Sequence, residues 1–380
     1  AALAVGNLEE TVSVDAAAPL VDVQSAGISE VVENERIVEL PLQGRQVTDL
    51  IVLSGAAVNT GQVSGQRNRS DAVAISVAGG LRTGVAYVLD GAMHNDAYDN
   101  LNMPFPFPDA LQEFRVATSG LSADNGVHSG ASVNAVTKSG TNRFTGNLFE
   151  FLRDSRFNST DPFAVVGKDG KRVSDGLNRN QYGGTIGGPI LRDKMFFFGA
   201  YQATRVRQTP ASFIAWVPTA AMLAGDFSSY ASPACNAGQQ ITLRAPFVNN
   251  RIDPALLSKA AVGISNEIPL KADNPCGEVL FSVPLDNNDA QFVTRLDYQV
   301  TGNHSIFGRY IDTFERREPT LSRTGNPLAV RREFGANKRA RALSTAFGDT
   351  LVLGSNMVNS FRVTWNDTSN SLNDPPETFF

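Results

Sequence analysis

Apolar and polar residues alternate most clearly near the end of the chain. In residues 357–366, Phe361, Val363 and Trp365 share one face of an extended segment, and Ser360, Arg362 and Thr364 share the other. A period of two is the signature of a strand with unlike surroundings on its two faces. Residues 290–300 repeat it, with Phe292, Leu296 and Tyr298 opposing Arg295 and Asp297. Further strand-like stretches of about 10 residues, the length a tilted membrane strand needs, fall at 143–153, 180–187, 194–207, 304–314 and 339–350. Short connections are expected at 188–193 and 301–303, and a long one at 209–289. Short turns at one end and long loops at the other fit an outer-membrane barrel, and an insertion of that length is rare in a soluble sandwich.

Before Gly140 the texture differs. Asn34 to Leu40 opens like a helix with Asn34 as its cap, and Gln46 to Ser54 reads as a second short helix. Val73–Val77, Ala86–Leu89, Phe114–Thr118 and Ala131–Thr137 read as strands, and Asp90-Gly91 marks a turn after the second of these. Phe107 to Glu113 opens like another short helix. Residues 20–140 therefore predict a small domain of short helices and strands.

Composition narrows the function classes. Among 380 residues 42% are hydrophobic and 19% charged, with two cysteines. No apolar run approaches the ~18–20 residues of a membrane helix. Two cysteines cannot supply a four-cysteine zinc site. A net charge of −5 argues against a nucleic-acid partner. Charge is uneven: residues 1–140 carry 7 basic and 16 acidic residues, the remainder 26 and 22, or −9 against +4. Enzyme signatures are missing. In GQVSG (61–65) the serine is misplaced for a nucleophile elbow, and GGTIGG (183–188) lacks dinucleotide-binding spacing. His94, His128 and His304 are too scattered for a metal triad, and no cofactor is implied.

Several segments resemble one family, the TonB-dependent outer-membrane receptors of the Oar-like subgroup. They are ELPLQGRQVTDLIVLSGAAV (39–58), SVAGGLRTGVAYVLDGAMHND (76–96), the stretch 108–154 with SGASVNAVTKSGTNRFTGNLFEF, GGTIGGPILRDKMFFFGAYQATR (183–205), QFVTRLDYQVTGNHSIFGRY (291–310) and NSFRVTWN (359–366). The resemblance implies a membrane all-β antiparallel barrel with a small α+β plug domain at the N-terminus. It divides the chain into an N-terminal segment (1–16), a plug (17–140) and an incomplete barrel portion of about seven strands (141–380). Plugged barrels of this kind have about 22 strands, so the chain reads as the front part of a larger protein whose last strand is an unpaired edge. The expected function is energy-coupled uptake of an extracellular ligand through the outer membrane. The TonB–ExbB–ExbD complex and outer-membrane lipid are the implied partners. A surface adhesin or secretion-linked receptor on the same scaffold is the alternative.

The resemblance also points to sites. The segment Leu8, Glu9, Glu10, Thr11, Val12, Ser13, Val14 is similar to the strand-forming stretch that contacts TonB, and a linker strand is the plainer alternative. The loop His94, Asn95, Asp96, Ala97, Tyr98, Asp99, Asn100 gathers a stacking ring and hydrogen-bonding groups at one apex, suited to a ligand or simply to turn chemistry. Its spacing matches no standard calcium loop. Arg67 and Arg69 lie in a second candidate ligand loop. Cys235 and Cys276, 41 positions apart, form either a disulfide, which an oxidising compartment permits, or two free thiols. Arginine facing mid-membrane lipid costs ~2–4 kcal/mol. The strand arginines Arg143, Arg153, Arg295, Arg309, Arg341 and Arg362 are therefore expected to face the lumen, against the acidic plug.

Overall fold

The computed structural model describes residues 28–40, 42–60, 73–119, 121, 130–167, 169–209, 213–268, 270–282, 285–318 and 337–373. Residues 9–14 and the pair Arg67 and Arg69, named above as candidate contacts, lie outside the described residues.

The N-terminal unit is a five-stranded mixed sheet with two short helices. Its strands are β1 (Ile28–Glu33), β4 (Val85–Leu89), β5 (Ala92–Met93), β6 (Leu111–Ser119) and β7 (Ala131–Thr137), in the order β1-β6-β7-β4-β5. β4 runs parallel to β7, and the other neighbours are antiparallel. A separate ribbon joins β2 (Ala57–Asn59) to β3 (Ile75–Val77). Helices α1 (Asn34–Glu39) and α2 (Asp49–Leu53) occupy the places that the sequence assigns to helices. Asn34, however, is not the cap. Its amide donates to the Pro108 and Leu111 carbonyls at 3.2 and 2.6 Å, tying α1 to the start of β6. The expected helix after Phe107 shrinks to one 3-10 turn, Pro108–Ala110, because β6 begins at Leu111.

Seven long strands form the second sheet. They are β8 (Thr145–Asp154), β9 (Asn178–Leu191), β10 (Met195–Gln208), β13 (Leu285–Thr301), β14 (His304–Glu318), β15 (Asn337–Leu353) and β16 (Met357–Asn373). All neighbours are antiparallel and follow chain order, with β8 and β16 at the two edges. The turns 192–194, 302–303 and 354–356 lie at one end, and at the other end Asp154, Gln208 and Glu318 close their strands and Asn178, Leu285 and Asn337 open the next ones, with more residues between them. The connection expected at 188–193 is shorter than the sequence suggests. β9 runs through Gly188 and Pro189 to Leu191, and the register shift between Met195 and Phe196 falls opposite this stretch. A proline is tolerated at such an irregularity near a strand end.

The connection after β10 holds its own small structure. β11 (Phe213–Trp216) pairs with β12 (Glu278–Phe281) over a core of Ala215, Val217, Val279 and Phe281. Helices α3 (Ala220–Leu223) and α4 (Lys259–Glu267) follow, and Cys235 is bonded to Cys276.

The two sheets share one hydrophobic core. Tyr87, Leu89, Phe105, Phe107, Phe114 and Val133 of the N-terminal unit join Phe198, Ala200, Val293 and Ile311 of the long sheet. On the other face of the long sheet, Tyr201, Phe292, Leu296, Phe347, Phe361, Val363 and Trp365 are exposed. The face that meets the N-terminal unit is called inward below, and the opposite face outward.

Candidate functional site

The inward face and the N-terminal unit meet around one carboxylate. Asp90 opens the tight turn between β4 and β5, where Asp90 and Gly91 both have positive φ (54° and 79°). Aspartate tolerates that left-handed conformation better than most residues, and glycine adopts it freely. The turn aims the Asp90 carboxylate at the wall. Arg295 Nη1 donates to Oδ1 at 2.9 Å and Arg309 Nη1 to Oδ2 at 3.0 Å. The Thr137 amide and hydroxyl donate to the same group at 2.8 and 3.0 Å. Side-chain exposure is 1% for Asp90, 1% for Arg309 and 12% for Arg295. The other end of the Arg295 guanidinium, Nη2, donates to Asp297 at 2.8 Å, and Ser344 accepts from Arg309 at 2.9 Å. Removing one partner of such a desolvated cluster leaves buried charge uncompensated, whereas the intact cluster fixes position more than it adds stability.

A second charged contact lies on the β8 side. Arg45 pairs with Asp109, and Asn147 of β8 donates to the other Asp109 oxygen at 2.6 Å. The Arg45 guanidinium stands 4.6 and 4.5 Å from the Phe149 and Phe151 ring centres. Burial pulls its pKa down and the Asp109 charge opposes that. Gly44, at φ 70°, presents its carbonyl to Gln181 Nε2 at 3.1 Å and Arg179 Nη2 at 3.3 Å. A Cβ there would stand 2.5 Å from the Arg179 guanidinium.

Between the charged contacts, Gln291 of β13 reads main chain. Its Oε1 accepts from the Phe107 amide at 2.9 Å, and its Nε2 donates to the Phe105 carbonyl at 3.0 Å. Beside it lies a cavity of about 110 Å³, lined by Arg45, Thr48, Gln202, Gln291 and Thr313 among others.

The apex loop separates into an inner and an outer part. His94 is fully buried. Its Nε2 lies 2.9 Å from the Pro104 carbonyl, and its ring is 5.1 Å from Phe105. Asn95 is 7% exposed, accepts from the Tyr87 amide at 2.8 Å and donates to the Val85 carbonyl at 3.0 Å. The structure thus corrects the expectation that both lie at a surface apex: they brace the interior. Asp96 and Asp99 accept from the Tyr98 and Leu101 amides at 2.9 and 3.0 Å, which is turn chemistry. Tyr98 is 70% exposed. Partial burial, with a smaller push from Asp96, raises the Asp99 pKa against the Leu101 amide hydrogen bond. The loop sits at the end of β4 opposite Asp90.

The strand arginines divide between the faces. Arg295 and Arg309 point inward as expected, as does Arg362, whose guanidinium bonds Thr350 and stands 5.3 Å from the Phe307 ring centre. Arg341 does not. It lies on the outward face beside Asp312, to which it donates at 3.0 and 2.7 Å. Near the strand tops an outward arginine reaches the edge of the apolar band, so the rule that drives mid-membrane arginines inward no longer binds it. Sequence reasoning did not single out Asp90, Arg45, Asp109, Asn147 or Gln291 as site residues. The one available signal was an aspartate before glycine in a turn otherwise walled by apolar strands.

Residues 136–380 match the model of the outer membrane beta barrel domain family. The chain belongs to that family. Its members sit in the outer membrane of Gram-negative-type cells. The TonB-dependent transporter Oar of Myxococcus xanthus is 27% identical to this barrel protein over 212 residues, 53% of the chain and 19% of the relative. Among solved structures, the outer membrane transporter YddB of Escherichia coli superposes with a TM-score of 0.55 at 13% identity, over 90% of this chain and 39% of that one. A mutant of the ferric enterobactin receptor PfeA of Pseudomonas aeruginosa gives 0.52 at 11%, over 91% and 41%. These matches bear out the Oar-like resemblance read from the sequence. The chain spans about a fifth of the curated relative's length and two fifths of the solved receptors'.

Proposed function

We propose that this barrel protein is the plug and adjoining wall of a TonB-dependent outer-membrane transporter that takes up an extracellular ligand. Residues 17–140 are the plug, and residues 141–380 supply the first seven strands of a barrel that further strands complete. One observation carries the reading: the Asp90 carboxylate of the N-terminal unit is held by two guanidiniums of the long sheet, with its side chain 1% exposed. A plug must be positioned by its wall yet released without unfolding. A few desolvated polar contacts suit that task, because they fix geometry while adding little net stability.

In this reading Tyr98, Asp96, Asp99 and Asn100 face the extracellular ligand. His94 and Asn95 hold that loop from beneath. The segment Glu9, Glu10, Thr11, Val12, Ser13, Val14 pairs with TonB by main-chain strand addition, and the TonB–ExbB–ExbD complex supplies the pull.

A cysteine scan of positions 8–14 tests the coupling. In cells expressing TonB with a cysteine in its periplasmic domain, a ladder of cross-linked positions supports it. No cross-link at any position overturns it.

A further inference from the structure

Next to the Asp90 turn, the inward face carries a second polar cluster that the seating contacts leave unused. Strand pairing puts Ser305, Thr350 and Ser360 in one cross-strand row, and Phe307, Gly348 and Arg362 in the next inward row. A Cβ at Gly348 would collide with the Phe307 ring. Glycine there lets the ring lie over β15, with the Arg295 and Arg362 guanidiniums 4.5 and 5.3 Å from its centre. Between these rows and the turn lies a cavity of about 590 Å³, lined by Asp90, Gly91, Arg295, Phe307 and Arg362 among others. Pockets for small organic molecules measure roughly 300–1,000 Å³.

Charge around the cavity is uneven. The carboxylates that line it are those of Asp90 and Asp297. Asp90 is held by Arg295 and Arg309, and Asp297 by Arg295. Arg362 meets no carboxylate among the described residues. Its Nη1 donates to the Asp349 and Phe361 carbonyls at 2.6 and 2.8 Å, and its Nη2 to the Thr350 hydroxyl at 2.9 Å. A guanidinium has five N–H groups, so Nε–H and one Nη2–H remain for a ligand. The Ser305 and Ser360 hydroxyls line the same cavity and have no hydrogen-bond partner among the described residues. A fixed guanidinium with hydroxyls near it suits the oxygens of a phosphate or carboxylate. The Phe307 ring between them suits an apolar or aromatic body.

We infer that Arg362, with Ser305 and Ser360, binds the phosphate or carboxylate of a small organic solute whose apolar body lies on Phe307. The cavity is at the end of the sheet that carries the turns 302–303 and 354–356, on the side of the N-terminal unit away from the apex loop. In the barrel reading, on which the inference rests, that end is the periplasmic mouth. The site is therefore separate from the loop that faces the extracellular ligand.

The test uses the protein purified from outer membranes in a phosphate-free maltoside detergent. Phenyl phosphate, inorganic phosphate and phenol are titrated in separately by calorimetry. Phenyl phosphate is expected to bind at one site, inorganic phosphate more weakly, and phenol not measurably. In the Arg362→Gln variant phenyl phosphate binding should weaken about tenfold or more, the loss of charged hydrogen bonds. Arg362→Lys, which keeps the charge but not the fork, should lose less. Ser305→Ala/Ser360→Ala should weaken phenyl phosphate and inorganic phosphate by the same factor. Heat-modifiable gel migration reports folding of each variant separately. Inorganic phosphate that binds as tightly as phenyl phosphate makes the ligand a bare anion and overturns the inference. Phenyl phosphate binding that is absent, or unchanged in a folded Arg362→Gln protein, overturns it too. An unmodified protein without heat-modifiable migration overturns the barrel reading itself.

Discussion

Asp90 and Arg309 are ion-paired at 3.0 Å across the junction of the N-terminal unit and the long sheet, and each side chain is 1% exposed. They lie 219 positions apart in the chain. Asp90→Ala removes the shared partner of two guanidiniums, for which a cost of about 3–5 kcal/mol is expected. Limited proteolysis in a urea series should release the N-terminal unit from the variant at lower urea, while heat-modifiable migration of the barrel is retained. Asp90→Asn, which keeps an acceptor, should fall between.

Gln291 satisfies two main-chain groups of the Phe105–Phe107 segment. Gln291→Ala leaves the buried Phe107 amide without its acceptor, a cost of ~1–3 kcal/mol. Hydrogen exchange should rise first at Phe107 and its neighbours, with the β13–β14 ladder unchanged.

The Cys235–Cys276 bond closes a 41-residue separation inside the connection between β10 and β13. The chain-entropy model gives about 4 kcal/mol for such a closure. Reduction should expose residues between β11 and β12 to added protease while the long strands stay protected. A free-thiol assay on unreduced protein should find neither cysteine reactive.

Asp99 is an acid whose folded pKa is raised, chiefly by partial burial. The folded loop therefore holds its proton more tightly than the unfolded chain does. Its destabilising effect is fully present above the folded pKa and is relieved as pH falls through that value toward the ordinary aspartate range. Asp99→Asn should be neutral to stabilising at pH 7 and should lose this acid-side gain, read as thermal midpoints from pH 7 to 4.

Much of the barrel wall was legible in the sequence. Phe361, Val363 and Trp365 alternate with Ser360, Arg362 and Thr364, and a period of two has one structural meaning once a face is known to be apolar. The docking contacts were not legible, because each residue already had a sufficient local explanation. Asp90 reads fully as the first residue of an Asp-Gly turn. Gln291 reads as one polar position in an alternating strand. Nothing local states that Arg309 will stand opposite Asp90, since that depends on how two sheets pack. His94 misled for the same reason: a polar residue in a polar loop reads as surface, and only the packing against Phe105 and the Pro104 carbonyl turns it inward. Arg341 was sent to the lumen by a mid-membrane rule that weakens toward the rim.

The central claim is that the N-terminal unit is seated on the inward face of the long sheet as a plug. In whole cells, Met93→Cys combined with Asn366→Cys tests it most directly, because the Asn366 amide donates to the Met93 carbonyl at 3.0 Å. With a short thiol-reactive cross-linker, the account predicts an efficient intramolecular cross-link. Met93→Cys with Trp365→Cys, whose second position faces outward, should give almost none. No cross-link in the first pair, or equal yields in the two, would contradict it.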